Sequence, residues 1–368
     1  MHIVHVVGAR PNFVKMAPLF QEIAAITGVR QTILHTGQHF DPEMYQIFFD
    51  QFGLPQPDIQ LGITGGSVND QLSRMVGAMD PIFGSMSGAV VVVYGDVTST
   101  LAAALVAVRY SHFLVHVEAG LRSFDTTMPE EINRMVVDRL ANRLYVTEKS
   151  GLEHLANEGV DPDKVVFAGN IMIDSLYRYI EQTPSAETIE PRIAGSKNYG
   201  VLTLHRPGNV DFEGRLHAVM EGISSVARDF PVVFPLHPRT RERCKAFGID
   251  LDSIPGLIVR EPMSYIDMLS IVKGATVVLT DSGGLQEETA ALSIPCVTIR
   301  DNTERPVTIL CGANRLVKPN KGAIIKGVEE ALKPGRKMSI PPLWDGRTAN
   351  RIANDLVSQV TNSEEACA

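Results

Sequence analysis

The sequence predicts an α/β protein built from two doubly wound, parallel-sheet domains with Rossmann-like topology. Short apolar runs rich in Val and Ile alternate with longer segments of helical periodicity, which is the pattern of repeated strand–helix units. The alternation stops in a polar, proline-containing segment at residues 183–197 and then starts again. A length of 368 residues also exceeds what one hydrophobic core usually supports. We therefore predict a first domain over residues 1–168, completed by a C-terminal helix at about 347–368, and a second domain over 169–346.

Composition and charge restrict the functional classes. Hydrophobic residues make up 44% of the chain and charged residues 21%, as in ordinary globular proteins. The net charge of −8 and the pI of about 5.7 argue against nucleic-acid binding. The four cysteines lack metal-ligand or disulfide spacing, and no signal-peptide pattern or apolar run of ~18 residues is present. We therefore expect a cytoplasmic protein with neither a nucleic-acid nor a membrane partner.

The predicted strands locate the candidate sites. The first half contains six predicted strands of a mostly parallel sheet, at residues 3–7, 31–36, 89–94, 113–117, 144–146 and 165–167. The second half contains six more, at 201–204, 232–236, 257–259, 277–280, 296–299 and 316–318. Ligands of open parallel sheets bind outside the carboxyl ends of the strands, so the residues after each strand are the candidates. We expect the two sheets to face a central cleft that holds the ligand.

Two neighbouring strands of the first half end in carboxylates. Asp96 follows the run at 89–94, Glu118 ends the next apolar run, and Glu130 lies at the start of the following helix. Three carboxylates at one rim of a sheet suggest acid–base chemistry. The alternatives are that Asp96 caps a helix and that Glu118 is a solvated loop residue.

An anion site is predicted after the first strand. Gly8-Ala9-Arg10-Pro11 interrupts the apolar run, and a helix starts near Asn12 with Lys15 in its first turn. The N–H groups of a helix N-terminus and two nearby cations suit an anion. The run is neither a dinucleotide fingerprint nor a Walker loop, because the glycine spacings of both are absent. The alternative for Lys15 is a solvated position on the helix surface.

A second anion site is predicted at residues 280–288. Ser282 can cap the helix that starts there, and Gly283 and Gly284 allow the backbone to approach a ligand closely. A diphosphate at this point would meet unpaired N–H groups, and Glu288, one turn further on, could accept hydrogen bonds from ribose hydroxyls. The alternative is an ordinary capped helix.

Other polar residues follow predicted strands in both halves and are candidates for substrate binding. They are Gln38, His39, His205, Arg206 and His237. For the two histidines of the second half, the alternative is a strand-end histidine that is hydrogen bonded to a loop carbonyl.

Taken together, these motifs resemble the non-hydrolysing UDP-N-acetylglucosamine 2-epimerase family over nearly the whole chain. The resembling stretches are GARP (8–11) with Lys15, YGD (94–96), HVEAGLR (116–122), PEEINR (129–134), Gly169-Asn170, DSGGLQEE (281–288) and TERP (303–306). The resemblance implies the GT-B fold, a homodimer, a bacterial or archaeal envelope-precursor pathway, and no metal or nicotinamide cofactor. It also implies reversible conversion of UDP-N-acetylglucosamine to UDP-N-acetylmannosamine, by elimination of UDP to a 2-acetamidoglucal and re-addition.

The resemblance also implies roles for individual residues. The catalytic positions of the family match Asp96, Glu118, Glu130 and His205, without an assignment of acid and base among the three carboxylates. The positions that contact UDP match Arg10, Lys15, Arg134, Ser282, Gly283, Gly284 and Glu288.

Two stretches depart from the family pattern. Residues 37–41 read GQHFD where many members have an alanine-glutamine-histidine-arginine run, and residues 207–209 read PGN where others have Arg-Arg-Glu. The first stretch resembles the branch that acts on UDP-2,3-diacetamido-2,3-dideoxy-glucuronic acid, so that substrate remains an alternative. The sequence is also compatible with a hydrolysing epimerase, a GT-B glycosyltransferase or a non-catalytic nucleotide-sugar sensor.

Overall fold

Two parallel β-sheets organise the chain in the computed structural model. The structure describes residues 1–37 and 49–367, with the side chains of all of these except Arg10 and residues 360–367. One compact unit comprises Met1–Ser175 and Pro342–Ala368, and the other comprises Leu176–Pro341. The chain passes from one unit to the other within the helix Ile171–Ile180, just after the predicted boundary at residues 168 and 169.

The first unit contains a seven-stranded sheet. Its strands are β1 (His2–Val7), β2 (Arg30–His35), β3 (Ile59–Gln60), β4 (Val90–Tyr94), β5 (Phe113–Ala119), β6 (Arg143–Val146) and β7 (Val165–Phe167). Among its helices are α1 (Arg10–Ala24), α2 (Val68–Gly84), α3 (Thr98–Arg109), α4 (Pro129–Leu140), α5 (Lys149–Asn157) and the first half of α6 (Ile171–Ile180). All six predicted strands are confirmed, but the count was wrong: β3 was missed because two residues are too short to show an alternating pattern.

The second unit contains a six-stranded sheet, as predicted. Its strands are β8 (Gly200–Thr203), β9 (Val232–Pro235), β10 (Leu257–Arg260), β11 (Val277–Thr280), β12 (Cys296–Ile299) and β13 (Asn314–Val317). Its helices are α7 (Ala186–Ile189), α8 (Pro207–Val210), α9 (Glu213–Ala227), α10 (Pro238–Ala246), α11 (Tyr265–Lys273), α12 (Gly283–Ala291), α13 (Pro306–Leu310) and α14 (Lys321–Ala331). Every strand pair in both sheets is parallel, which confirms the predicted fold class.

The last helix, α15 (Thr348–Cys367), packs within the first unit. The chain's single tryptophan, Trp344, precedes this helix, is buried, and donates from Nε1 to the Thr147 carbonyl at 3.0 Å. Within the helix, Asp355 accepts a hydrogen bond from the Tyr145 hydroxyl of β6 at 2.7 Å. Over residues 1–37 and 49–367, no helix is both long enough and apolar enough to cross a bilayer.

Burial explains why the strands read as continuous apolar runs. All five residues of β4, VVVVY, are buried, as expected for a central parallel strand covered by helices on both faces. Each fully buried valine contributes roughly 1.5–3 kcal/mol of transfer free energy. The neighbouring helix α3 presents small residues to this core, among them Ala102, Ala103 and Ala104, which lets it pack close to the sheet.

Both sheets have the strand order of a doubly wound fold. The orders are β3-β2-β1-β4-β5-β6-β7 and β10-β9-β8-β11-β12-β13. In each sheet, successive strands are first added on one side of the first strand and then on its other side. These switch points lie between β1 and β4 and between β8 and β11, and ligands of such sheets bind at the carboxyl ends of these strands. The predicted site segments around Gly8, Gly95, His205 and Asp281 directly follow these four strands.

Candidate active site

A buried ion pair lies at the switch point of the first sheet. Lys15 of α1 and Glu118 of β5 approach to 2.5 Å between Nζ and Oε2, and their side chains are only 6% and 1% exposed. Gly95 makes room for this pair, because a β-carbon there would lie 2.9 Å from the Lys15 Nζ and 3.6 Å from the Glu118 Oε1. The interpretation that these two side chains are solvated is therefore wrong.

The backbone at Glu118 is in an uncommon conformation. Its φ is +77°, in the left-handed region that residues with a β-carbon rarely adopt. The pairing of β5 with β6 also shifts register between Val117 and Ala119, on either side of this residue. A bulge of this kind redirects a side chain, and strained backbone persists only where the surrounding structure fixes it. Both observations support a functional role for Glu118.

A buried network holds the turn that follows β5. Asp138 of α4 contacts His116 Nδ1 at 2.6 Å, the Gly120 N–H at 3.0 Å and Arg122 Nη1 at 2.8 Å. The other ring nitrogen of His116, Nε2, lies 2.8 Å from the Gly95 carbonyl. Burial alone would raise the pKa of Asp138, but the charges and hydrogen bonds of His116 and Arg122 lower it. The network thus fixes the ends of β4 and β5 relative to each other.

The second carboxylate, Asp96, lies in the loop after β4 and forms an ion pair with Arg134 of α4. Asn133, the preceding residue on that helix, donates from Nδ2 to the Asp96 carbonyl at 2.7 Å. Asp96 does not cap the next helix, because the N-cap residue of α3 is Val97, so that interpretation is wrong. Helix α4 therefore holds both the side chain and the backbone carbonyl of Asp96.

The two adjacent glutamates of α4 differ in their surroundings. Glu131 is buried and accepts backbone N–H bonds from Ser123 at 2.8 Å and from Phe124 at 3.0 Å, so it holds the preceding loop. Glu130 is half-buried and lies four residues before Arg134, on the same face of the helix. This face also carries the cation that pairs with Asp96.

A histidine–aspartate pair lies at the switch point of the second sheet. Asp281 follows β11, is fully buried, and lies 3.0 Å through Oδ1 from Nδ1 of His205, which follows β8. It also accepts the backbone N–H groups of His205 at 3.1 Å and Arg206 at 2.9 Å. Burial would raise the pKa of Asp281, but the imidazole and these amides lower it. An ionised carboxylate at Nδ1 favours a proton on that nitrogen and leaves Nε2 for proton transfer.

The Ser282 turn joins this pair to a helix N-terminus. Ser282 is the N-cap residue of α12, but its side chain makes no capping hydrogen bond, so the prediction that it caps the helix is wrong. Its backbone N–H instead donates to Thr280 Oγ1 at 2.9 Å. A larger residue at the next position would crowd Glu304, because a β-carbon on Gly283 would lie 3.0 Å from Glu304 Oε1. The Ser282 hydroxyl and the first N–H groups of α12 are suited to an anion.

Buried ion pairs support this turn from the TERP segment. Glu304 contacts Arg300 at 2.8 Å and Arg206 at 3.3 Å, and Arg305 contacts Glu287 of α12 at 2.6 Å. Removing one partner of a buried pair typically costs about 3–5 kcal/mol, because the other charge remains without compensation. The segment therefore fixes the position of α12 and orients Arg206.

Glu288 lies further along α12 and is buried. Burial raises the pKa of Glu288 to about 7, although a hydrogen bond with the Tyr265 hydroxyl opposes the shift. The site therefore holds a carboxyl group that changes its charge near neutral pH.

The other predicted residues are placed as follows. Arg10 is the first residue of α1, and its side chain lies outside the described part of the structure, as do Gln38 and His39 entirely. His237 is the exposed N-cap residue of α10, and its Nδ1 accepts from Arg239 N. Its ring centroid lies 5.7 Å from that of His205, so the ends of β8 and β9 bring two imidazoles together.

Some positioning residues were not predicted from the sequence. Asp138 is the tenth of the twelve residues of α4 and belongs to none of the predicted motifs, but it is the centre of the buried network in the first unit. In the sequence, Asp281 belongs only to the predicted turn, although a buried acid directly after a strand and beside another strand's histidine is a recognisable signal. Glu304 belongs only to the TERP motif of the resemblance.

Comparison with known proteins identifies relatives that match along nearly the whole chain. The family model for UDP-N-acetylglucosamine 2-epimerase matches residues 21–357. The UDP-N-acetylglucosamine 2-epimerase of Methanocaldococcus jannaschii is 37% identical over 97% of this chain and 99% of that protein. The UDP-2,3-diacetamido-2,3-dideoxy-D-glucuronate 2-epimerase of Pseudomonas aeruginosa is 36% identical over 97% of this chain and 99% of that protein. A crystal structure of the Methanocaldococcus jannaschii UDP-GlcNAc 2-epimerase in complex with UDP-GlcNAc and UDP is also similar, with a TM-score of 0.90 and 36% sequence identity. The match covers 97% of this chain and 100% of that chain.

Proposed function

Because this chain belongs to the UDP-N-acetylglucosamine 2-epimerase family, we propose that it catalyses the reversible C2 epimerisation of UDP-N-acetylglucosamine to UDP-N-acetylmannosamine. The observation that carries the proposal is that carboxylates after two neighbouring strands of the first sheet are each held by a cation, Glu118 by Lys15 and Asp96 by Arg134. Acid–base groups at this point are what epimerisation at carbon needs, whereas a sensor of nucleotide sugars needs none.

The proposed reaction proceeds by elimination and re-addition. The C1–O bond breaks with its electron pair leaving on UDP, a protein base takes the C2 proton, and a C1–C2 double bond forms. In the return step a proton is delivered to the opposite face of C2, and the UDP oxygen adds to C1 again. Two titratable groups are therefore required, and Asp96, Glu118, Glu130 and His205 supply the candidates.

Departure of UDP requires stabilisation of the diphosphate and of positive charge at C1. Lys15 and the N-terminus of α1 in the first unit, and the Ser282 turn with the N-terminus of α12 in the second, provide positive potential for the diphosphate. The carboxylates of the first unit, among them Glu118 beside Lys15, are suited to stabilise the cationic sugar.

Proton exchange in D2O tests the chemistry. UDP-N-acetylglucosamine is incubated with enzyme in D2O, and C2 deuteration and the product sugar are followed by NMR. We expect deuterium at C2 in both epimers with the UDP linkage retained. Full turnover with hydrogen kept at C2 would contradict the proposal, stoichiometric UDP and free sugar would indicate a hydrolysing enzyme, and turnover only with an acceptor would indicate a transferase.

UDP-2,3-diacetamido-2,3-dideoxy-glucuronic acid is the second candidate substrate, supported by the 36% identity to the Pseudomonas aeruginosa enzyme. Its sugar carboxylate would need an added cation. Arg206 is better suited to bind this carboxylate than Arg239. Arg239 forms a close ion pair with Asp211, whereas Arg206 lies 3.3 Å from its partner Glu304. The two substrates are compared side by side by NMR, and Arg206→Ala should impair turnover of the uronic acid more than that of the neutral sugar.

We also propose a cytoplasmic homodimer that makes precursors of an envelope polysaccharide, as the resemblance implies. Light scattering coupled to gel filtration tests the dimer, and a mass of one chain at working concentration would contradict it.

A further inference from the structure

Outside the candidate active site, a cavity of about 630 Å³ lies in the second unit, beside the edge strand β13 and helix α14. The segment after α14 that contains Arg336 and Lys337 forms another wall of this cavity. Gly312, with φ of +82°, allows this segment to approach, because a β-carbon there would lie 2.4 Å from the Lys337 carbonyl. Ser339 N donates to the Cys311 carbonyl at 2.9 Å and fixes the same segment. The cavity is therefore built by ordered backbone on three sides.

The lining of this cavity is strongly cationic. Five of its described residues carry a positive charge, and Glu330 is the one carboxylate among them; the five cations are Arg315, Lys318, Lys326, Arg336 and Lys337. The lining thus carries a formal charge of about +4 in a chain whose net charge is −8. Glu330 pairs with Arg315 at 2.8 Å and offsets only part of this charge.

Two guanidinium groups at this cavity repel each other. Burial and the nearby Arg315 charge both lower the pKa of Arg336. The Nε of Arg315 is buried and has no hydrogen-bond partner among the described residues. Two guanidinium groups of like charge and an Arg315 N–H donor without a partner among the described residues indicate that the cavity favours an anion.

We propose that this cavity is a second anion site, which takes the diphosphate group of a small metabolite. A diphosphate carries more than one negative charge and offers oxygens for the fork-shaped guanidinium groups of Arg315 and Arg336. The volume lies within the roughly 300–1,000 Å³ of small-molecule sites, which leaves space for an organic group beside the apolar side chains of Ile309 and Leu316.

Calorimetric titration with inorganic pyrophosphate tests the proposal on the full chain saturated with UDP, so that the candidate active site is occupied. The test variant is Lys318→Gln with Lys326→Gln, which removes two exposed cations from the lining. The matched control is Lys321→Gln with Lys333→Gln, which removes two exposed cations of the same helix region outside the lining.

We expect saturable binding of one pyrophosphate per chain, weakened roughly tenfold or more in the test variant and less than about twofold in the control. Absence of saturable binding at millimolar pyrophosphate, or equal weakening in both variants, would overturn the proposal. A pyrophosphate signal that UDP abolishes would also overturn it, because the anion would then occupy the UDP site. Failure of epimerase activity would leave this binding result unchanged.

Discussion

The burial of Glu288 predicts how the stability of the second unit changes with pH. Burial raises its pKa from the ordinary 4.5 to about 7. Between these two values the unfolded chain releases the Glu288 proton while the folded chain keeps it, so folding loses stability as pH rises. Each pH unit costs about 1.4 kcal/mol, so the full window corresponds to about 3 kcal/mol. Glu288→Gln cannot titrate and keeps an acceptor for the Tyr265 hydroxyl, so it should remove this loss.

Hydrogen exchange of the β11 and β12 amides, measured at equal pH for wild type and variant, gives the unfolding free energy of the second unit. The stability of Glu288→Gln relative to wild type should increase by about 3 kcal/mol between pH 4.5 and pH 8 and stay constant above that. The control is Glu329→Gln, which neutralises an exposed residue of α14 in the same unit and should show no such increase. A difference between Glu288→Gln and wild type that does not change with pH would show that Glu288 has no raised pKa in the folded chain.

Three further substitutions test the positioned groups. Glu118→Gln should keep UDP affinity by calorimetry but lose roughly 10²-fold or more in turnover, and near-normal turnover would remove Glu118 from the mechanism. Asp281→Asn removes the charge that orients His205, so kcat should fall about 10²–10⁴-fold with a changed pH profile, whereas a change confined to KM would contradict that role. Gly95→Ala places a methyl group 2.9 Å from the Lys15 Nζ at a φ of +60°; it should cost about 1–2 kcal/mol in thermal melts and abolish most turnover, and wild-type values for both would contradict the described geometry.

The sequence predicted the sheets and the segments that follow their strands, because buried parallel strands have a strong apolar signature and end abruptly in polar residues. That pattern was enough to predict Asp96, Glu118 and His205 at the carboxyl ends of strands, and the structure has Asp96 after β4, Glu118 near the end of β5 and His205 after β8. The two-residue strand β3 carries no such signature, so the sheet was predicted one strand short.

The partners of the site residues could not be predicted in the same way. Asp281 and His205 are 76 residues apart, and their contact depends on which strands are neighbours in the sheet. Adjacent Glu130 and Glu131 look alike in sequence, and only the loop that Glu131 binds distinguishes them. The capping role predicted for Ser282 failed because residue type gives a helix-capping preference, whereas the actual hydrogen bond depends on local geometry.

We propose that carboxylates at the carboxyl end of the first sheet act on the C2 proton of the bound UDP-sugar. A crystal structure of the chain soaked with UDP-N-acetylglucosamine measures this directly. We predict a carboxylate oxygen of Asp96, Glu118 or Glu130 within about 4 Å of the sugar C2 or its proton. A bound sugar whose C2 lies beyond that distance from all three carboxylates would contradict the proposal.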